Sequence, residues 1–183
     1  MQRPGSALSK LKKQQQNLHV STTVRQVEKK QYTKEEFIKQ RDFEGAITLL
    51  EHEKLLNKEN LTNQLWLAYS YFHNGDFPKA LSIYNELLKK QNYDQNIHTY
   101  KACCLYALCK FKEGLEEAKQ GLPTELNNRV RFHLAFKLGE GNEVLESHQK
   151  LNPNSAQDNL ALAALHFLKN EQEEAIEIYK KIY

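Results

Sequence analysis

Two stretches of the chain, 34 residues apart, carry the same local pattern. "RDFEGAITLLE" at Arg41–Glu51 and "GDFPKALSIYN" at Gly75–Asn85 both place Asp-Phe ahead of a small residue and an apolar run. The small residues keep an interval of 34, and an aromatic residue stands three positions before each: Ala46, Ala80 and Gly114 follow Phe43, Phe77 and Phe111. A fixed period of this length predicts a stack of similar helical units rather than one compact core.

The repeated unit resembles the tetratricopeptide repeat, a pair of antiparallel helices. The second unit matches that pattern of large, small and turn residues best, at Leu67, Ala68, Tyr71, Gly75, Asp76, Phe77, Ala80, Tyr84 and Leu87. A small residue on the second helix lets the first helix approach closely, and Gly75 can take the positive φ needed to leave the first helix. We therefore predict an all-α, right-handed tetratricopeptide-repeat solenoid of about five helix pairs.

The later units are less regular than the first two. The interval from Gly114 to Ala175 is 61 residues instead of two full periods of 34. We therefore expect one unit to be short by seven residues, with the irregularity near Gly139. The predicted units span about residues 31–56, 61–92, 95–123, 126–151 and 156–183.

A basic tail precedes these units. Residues 1–34 hold eight Lys or Arg and one acidic residue, whereas the remainder has 18 basic and 22 acidic residues. Since the tail lacks apolar periodicity, we expect residues 1–30 to be disordered. Basic tails attract phosphates, but the body is net acidic and the tail has no aromatic residue before Tyr32, so specific nucleic-acid binding is not expected.

No motif for catalysis, cofactor binding or metal binding is present. The chain lacks GxxxxGK[ST], GxGxxG, GxSxG and HExxH patterns. Its three cysteines, Cys103, Cys104 and Cys109, fall in one predicted helix without CxxC spacing, which favours small apolar residues packed in a reducing compartment. We expect no enzymatic activity, cofactor or metal. No run approaches the roughly 18 apolar residues of a membrane span, so we expect no membrane insertion.

The first helices of the units are the candidate binding surface. "LTNQLWLAYSYFHN", "CCLYALC" and "LALAALHFL" are apolar around most of their circumference, whereas second helices such as "FPKALSIYNELLKK" are amphipathic. This division places first helices on the concave side. The candidate protein-binding residues are Leu65, Tyr69, Phe72, Tyr106 and Phe167, because this lining is apolar and aromatic, and Tyr and Phe side chains often anchor interfaces. The alternative is that they are buried between stacked helices.

One alternative function is a general cytosolic adaptor of the co-chaperone type. Such repeats grip a terminal carboxylate with Lys, Arg and Asn on the first helices. The comparable places in the first three units hold Gln31 and Glu35, Leu65 and Tyr69, and Thr99 and Cys103. A carboxylate meets no cation at these places.

Four strings carry a more specific likeness. "KQRDFEGAITLLEHEK", "LWLAYSYFHNGDFPKALSIYNEL", "NRVRFHLAFKLGEGNEVLESHQKL" and "DNLALAALHFLKNEQEEAIEIYKKI" are similar, in order and spacing, to the N-terminal part of the intraflagellar transport protein 56 (DYF-13) family. The likeness covers about residues 37–183. His133, His148 and Gln149 make it specific, since ordinary tetratricopeptide units do not require them.

The resemblance implies a non-enzymatic scaffold in complex B of the ciliary transport trains. It implies docking onto the complex B core, chiefly through intraflagellar transport protein 46, and carriage of ciliary cargo proteins needed for motility. The expected location is the cilium or flagellum and basal body, with a cytoplasmic pool. Because family members are longer and "YKKIY" offers no polar cap to a solenoid, we expect the sequence to be truncated at its C-terminus.

Overall fold

The computed structural model describes residues 32–182, and the expected disorder of residues 1–30 therefore lies outside the described part. The described residues form ten α-helices: α1 Lys34–Lys39, α2 Phe43–Leu56, α3 Leu61–His73, α4 Phe77–Leu87, α5 Asn96–Ala107, α6 Phe111–Gln120, α7 Glu125–Leu138, α8 Gly141–Gln149, α9 Ala156–Leu168 and α10 Gln172–Ile182. Consecutive helices pack on one another from α1 through α8, and α9 packs on α10 and on α7, which also contacts α5. The predicted all-α solenoid of about five helix pairs is confirmed.

One residue with positive φ marks the turn between the two helices of every pair. These residues are Arg41, Gly75, Cys109, Gly139 and Asn170, with φ between 58° and 84°. They are separated by 34, 34, 30 and 31 residues. The deficit of seven residues is therefore divided between two intervals, and the expectation that a single unit is seven residues short is wrong. The shortening comes partly from a brief connection between α6 and α7, residues 121–124.

The residue after the left-handed turn residue is the N-cap of the second helix in the first four pairs, and its side chain determines whether a free backbone amide of that helix is capped. Asp42 accepts a hydrogen bond from the amide of Gly45 at 2.9 Å, and Asp76 accepts one from Lys79 at 3.2 Å. The corresponding Lys110 makes no side-chain cap, nor does Glu140. The second helices of the first two pairs therefore start with a satisfied amide that α6 and α8 lack.

Small residues sit where the helices of a pair approach most closely. Ala46 and Ala80 have no exposed surface. A methyl group on Gly114 would lie 3.0 Å from Leu134 Cδ2 and 3.3 Å from Leu105 Cβ. Any larger side chain at Gly114 would push α7 away from α6, because protein interiors have no spare volume at such contacts.

The cysteines do not all pack as expected. Cys104 is buried and Cys103 half-buried on α5, but Cys109 is exposed. Cys109 lies beyond the end of α5, in the left-handed turn, where its side chain faces water. The prediction that all three cysteines fall in one helix as packed apolar residues is therefore wrong for Cys109.

Candidate functional site

The larger cavity on the first-helix face has a volume of about 650 Å³. First helices of four successive pairs, α3, α5, α7 and α9, supply nearly all of its lining. The lining residues are Phe72, His73, Phe77, Cys103, Tyr106, Ala107, Leu126, Arg129, Val130, His133, Leu160, Ala161 and Ala164. We call it the central cavity. It is apolar and aromatic, which is typical of surfaces that bind protein segments.

A second, smaller cavity of about 460 Å³ opens between the first three first helices. We call it the aromatic cavity. It is lined by Ile38, Thr62, Leu65, Trp66, Tyr69, Tyr84, Asp94 and Tyr100. Tyr84 comes from α4 and Asp94 from the connection that follows it, so residues from three helix pairs meet here.

The five sequence-predicted binding residues divide between these places. Phe72 and Tyr106 line the central cavity, and Leu65 and Tyr69 line the aromatic cavity. Phe167 lines neither one and lies near the end of α9 with 61% of its surface exposed. None of the five is fully buried. Their role in binding stays a prediction.

Three of the predicted residues belong to a set with one member in every pair. The residue three positions before each left-handed turn residue is Ile38, Phe72, Tyr106, Phe136 or Phe167. Each is at least partly exposed on the last turn of a first helix. Ile38 and Phe136 were not predicted from the sequence. They are found by counting three residues back from the left-handed turn residue, and three of the five turn residues are not glycine and therefore cannot be recognised in the sequence.

Aromatic contacts join the two cavities. The ring of His73 stacks on Phe43 at 5.0 Å between centroids and lies 4.2 Å from the ring of Tyr69. Desolvation and the nearby charge of Arg41 lower the pKa of His73. Desolvation and Lys137 likewise lower the pKa of His133, so both imidazoles are neutral at pH 7.

Within the described residues, the central cavity contains one guanidinium, that of Arg129, and it is paired with carboxylates of the chain itself. Arg129 pairs with the buried carboxylate of Asp158 and lies 3.7 Å from a carboxylate oxygen of Glu125. Asp158 also accepts a hydrogen bond of 2.7 Å from the amide of Asn152. Arg129 stands ten residues before its turn residue, as Leu65 does, so the fourth unit does carry a cation at a comparable place. Because its own carboxylates hold it, it is poorly placed to bind another one.

The two thiols of α5 lie in apolar surroundings. Burial raises the pKa of Cys103 to about 11 and that of Cys104 to about 12, so these thiols stay protonated at neutral pH. Between residues 32 and 182, no three His, Cys, Asp or Glu side chains gather in a way that could hold a metal ion. No described helix is both long and apolar enough to traverse a bilayer.

Comparison with known proteins agrees with the helical geometry. Residues 64–183 match the family described as intraflagellar transport protein 56. The chain is 28% identical over 152 residues to the intraflagellar transport protein 56 homolog of Caenorhabditis elegans. The match covers 81% of the chain but 26% of that relative, so the chain spans about a quarter of the relative's length.

Two solved structures resemble the fold. TTC0263, a thermophilic tetratricopeptide-repeat protein of Thermus thermophilus, superposes with a TM-score of 0.71 at 17% identity, covering 81% of this chain and 86% of that one. A MamA fragment of Desulfovibrio magneticus RS-1 gives a TM-score of 0.65 at 15% identity, covering 81% and 88%. At these identities the likeness supports the tetratricopeptide fold alone.

Proposed function

Because the chain belongs to the intraflagellar transport protein 56 family, we propose that it is a non-enzymatic, protein-binding subunit of complex B of the ciliary transport trains. Family membership associates the chain with intraflagellar transport and the cilium. We extend this to a role in cilium assembly and motility, to the basal body, and to a cytoplasmic pool from which trains are assembled.

The observation that carries the proposal is the central cavity. Side chains from four successive helix pairs meet there, and the partly exposed aromatic residues Phe72 and Tyr106 lie within it. A partner segment laid across these pairs would bury both rings at once, and buried aromatic anchors dominate the affinity of most interfaces. We propose intraflagellar transport protein 46 as the first partner and ciliary cargo proteins as further ones.

The co-chaperone alternative has less support. It requires free cations on the first helices to hold a terminal carboxylate. Among residues 32–182, Arg129 is the one such cation in the central cavity, and it is paired with Asp158. Within the same part of the chain, no basic residue lines the aromatic cavity.

Isothermal titration calorimetry with the purified chain and purified intraflagellar transport protein 46 tests the proposal. We expect saturable binding that the double variant Phe72→Ala, Tyr106→Ala weakens at least about tenfold, as expected of anchor residues. Leu145→Ala is the matched control, since Leu145 is 64% exposed on α8, outside both cavities. Circular dichroism checks that helix content is retained.

Two results would contradict parts of this proposal. Absence of binding to every purified complex B subunit would argue against the role in complex B. Unchanged affinity in the correctly folded double variant would place the contact on another surface of the chain.

A further inference from the structure

Four aromatic rings surround the aromatic cavity. The centroids of Trp66 and Tyr69 are 5.6 Å apart in an edge-to-face arrangement, and those of Tyr84 and Tyr100 are 6.0 Å apart. Tyr69 is 37% exposed, and Trp66 and Tyr100 are partly exposed, so ring surface is available from the solvent side. Ring faces carry partial negative charge and attract cations.

A carboxylate completes the lining. Asp94 is exposed at the cavity, and its Oδ1 atom accepts two hydrogen bonds of 2.9 Å from the backbone amide and side-chain amide of Asn96. These bonds orient the carboxylate without neutralising its charge, and Asp94 takes part in no ion pair within residues 32–182. Desolvation, followed by the charge of Asp94, raises the pKa of Tyr100, as expected if the carboxylate faces that ring.

The two cavities of the first-helix face therefore differ in charge. Of the described residues that line the aromatic cavity, Asp94 is charged and none is Lys, Arg or His. Of those that line the central cavity, three are Arg129, His73 and His133, and none is Asp or Glu. The combination of several rings with one unpaired carboxylate is the chemistry that recognises an organic cation.

We propose that the aromatic cavity binds an arginine side chain presented by a protein partner. The guanidinium is planar, so it can stack on an aromatic face while its N–H groups donate to the Asp94 carboxylate. A lysine ammonium is more strongly hydrated and offers no flat surface for stacking. The inference rests on the proposed function only for the source of the arginine, a protein partner of the scaffold.

The chain carries its own reporter of this site, because Trp66 is its single tryptophan. Full-length chain is titrated with the peptide acetyl-Gly-Arg-Gly-amide while Trp66 fluorescence is recorded. Parallel titrations use the same peptide with citrulline, which is a neutral isostere of arginine, with lysine, and with norleucine. We expect a saturable change with the arginine peptide, and at least about tenfold weaker binding of the other three.

Variants then separate the carboxylate from the rings. Asp94→Asn keeps the Oδ1 acceptor for Asn96 but removes the charge, and should weaken the arginine peptide about tenfold. Tyr69→Leu should weaken it about threefold by removing one ring. Glu86→Gln is the matched control for net charge, because Glu86 is exposed on α4 and does not line this cavity.

Each other outcome overturns the proposal. Equal binding of the citrulline or norleucine peptide would make the cavity a neutral apolar slot, and equal binding of lysine would remove the selectivity for arginine. No saturable response, or no effect of Asp94→Asn, would show that the rings only pack the fold. If the arginine peptide does not bind but intraflagellar transport protein 46 does, the proposed function stands and the arginine site is wrong. If the arginine peptide binds but intraflagellar transport protein 46 does not, the arginine site stands and the proposed partner is wrong.

Discussion

Helices α2 to α4 enclose a continuous apolar core, whereas α7 to α10 bury fewer large apolar side chains and are linked in addition by charged side chains. In the first region, buried residues such as Leu50, Leu67 and Tyr84 form one cluster that extends into α5. In the second, α8 buries Ser147 and α10 buries Ala175 as their fully buried residues. Both lengths of the repeat bury apolar residues, and the second adds ion pairs between its helices.

The charged contacts of the second region are specific and partly buried. Arg131 Nε donates to Glu143 Oε1 at 2.9 Å, linking the two helices of the fourth pair. Arg129 and Asp158 link the fourth pair to the fifth, with Asp158 only 1% exposed. Buried ion pairs recover their desolvation cost only while both partners are present. Removing one charge should therefore lower the unfolding free energy of the second region as much as a core cavity lowers that of the first.

The largest effect is expected from Asp158→Ala. The change leaves Arg129 without its buried partner and the amide of Asn152 without an acceptor, so we expect a loss of about 3–5 kcal/mol in the unfolding free energy. Urea denaturation followed by circular dichroism measures it. The double variant Arg129→Met, Asp158→Leu should recover most of the loss, because it removes both charges. A loss below about 1 kcal/mol in the single variant would contradict the role assigned to the pair.

A slightly smaller effect is expected from Leu50→Ala in the first region. Leu50 has no exposed surface, and removing its buried carbons leaves a cavity that costs about 2–4 kcal/mol. Trp66 packs against the same cluster, so its fluorescence should report this loss at lower urea than circular dichroism does. Asp158→Ala should show the opposite order of the two probes. Leu145→Ala, at an exposed position, should change stability by less than about 0.5 kcal/mol.

The sequence predicts the first region better than the second for a physical reason. In the first two pairs, the Asp-Phe turn, the cap and the small residue are local signals that repeat at a constant interval. In the later pairs, the left-handed turns at Cys109 and Asn170 are followed by Lys110 and Glu171 instead of the Asp-Phe signal that follows Arg41, so the shortened intervals stay hidden. Helix type and number follow from periodicity, but the exact register there does not.

Some residues of the candidate site can also be predicted from the sequence, and others cannot. Phe72 and Tyr106 can be chosen from the apolar circumference of their helices, and the structure brings both into one cavity. Asp94 gives no such signal, because it lies in a connection whose approach to the rings depends on how three pairs stack. The composition of a cavity built from distant residues becomes visible only after packing is known.

A smaller change, a gain in stability, is expected from glycine at the left-handed turns of the later pairs. Cys109 holds φ at 58°, a conformation that costs an L-residue about 1 kcal/mol relative to glycine. Cys109→Gly should therefore raise the unfolding free energy by about 0.5–1 kcal/mol. Cys109→Ala is the control, since it removes the thiol but keeps the strained φ, and it should bring no gain. Asn170→Gly should bring a smaller gain, because asparagine tolerates this region. A gain with alanine equal to that with glycine would assign the effect to the thiol.

The smallest effect expected is a pH dependence of stability that arises from His133 on α7. Desolvation first, and Lys137 second, lower the pKa of His133, so the unfolded chain binds a proton more readily than the folded one. The stability that neutral His133 provides is present above the unfolded pKa of about 6.5 and is lost as the pH falls from there toward the lower folded pKa. Urea midpoints measured between pH 7.5 and 5.5 should decline, and His133→Phe should flatten that decline. His52→Gln removes an exposed imidazole from α2 and should leave the slope unchanged. An unaltered slope in His133→Phe would mean that the acid sensitivity arises from another group, such as the imidazole of His73, instead of His133 on α7.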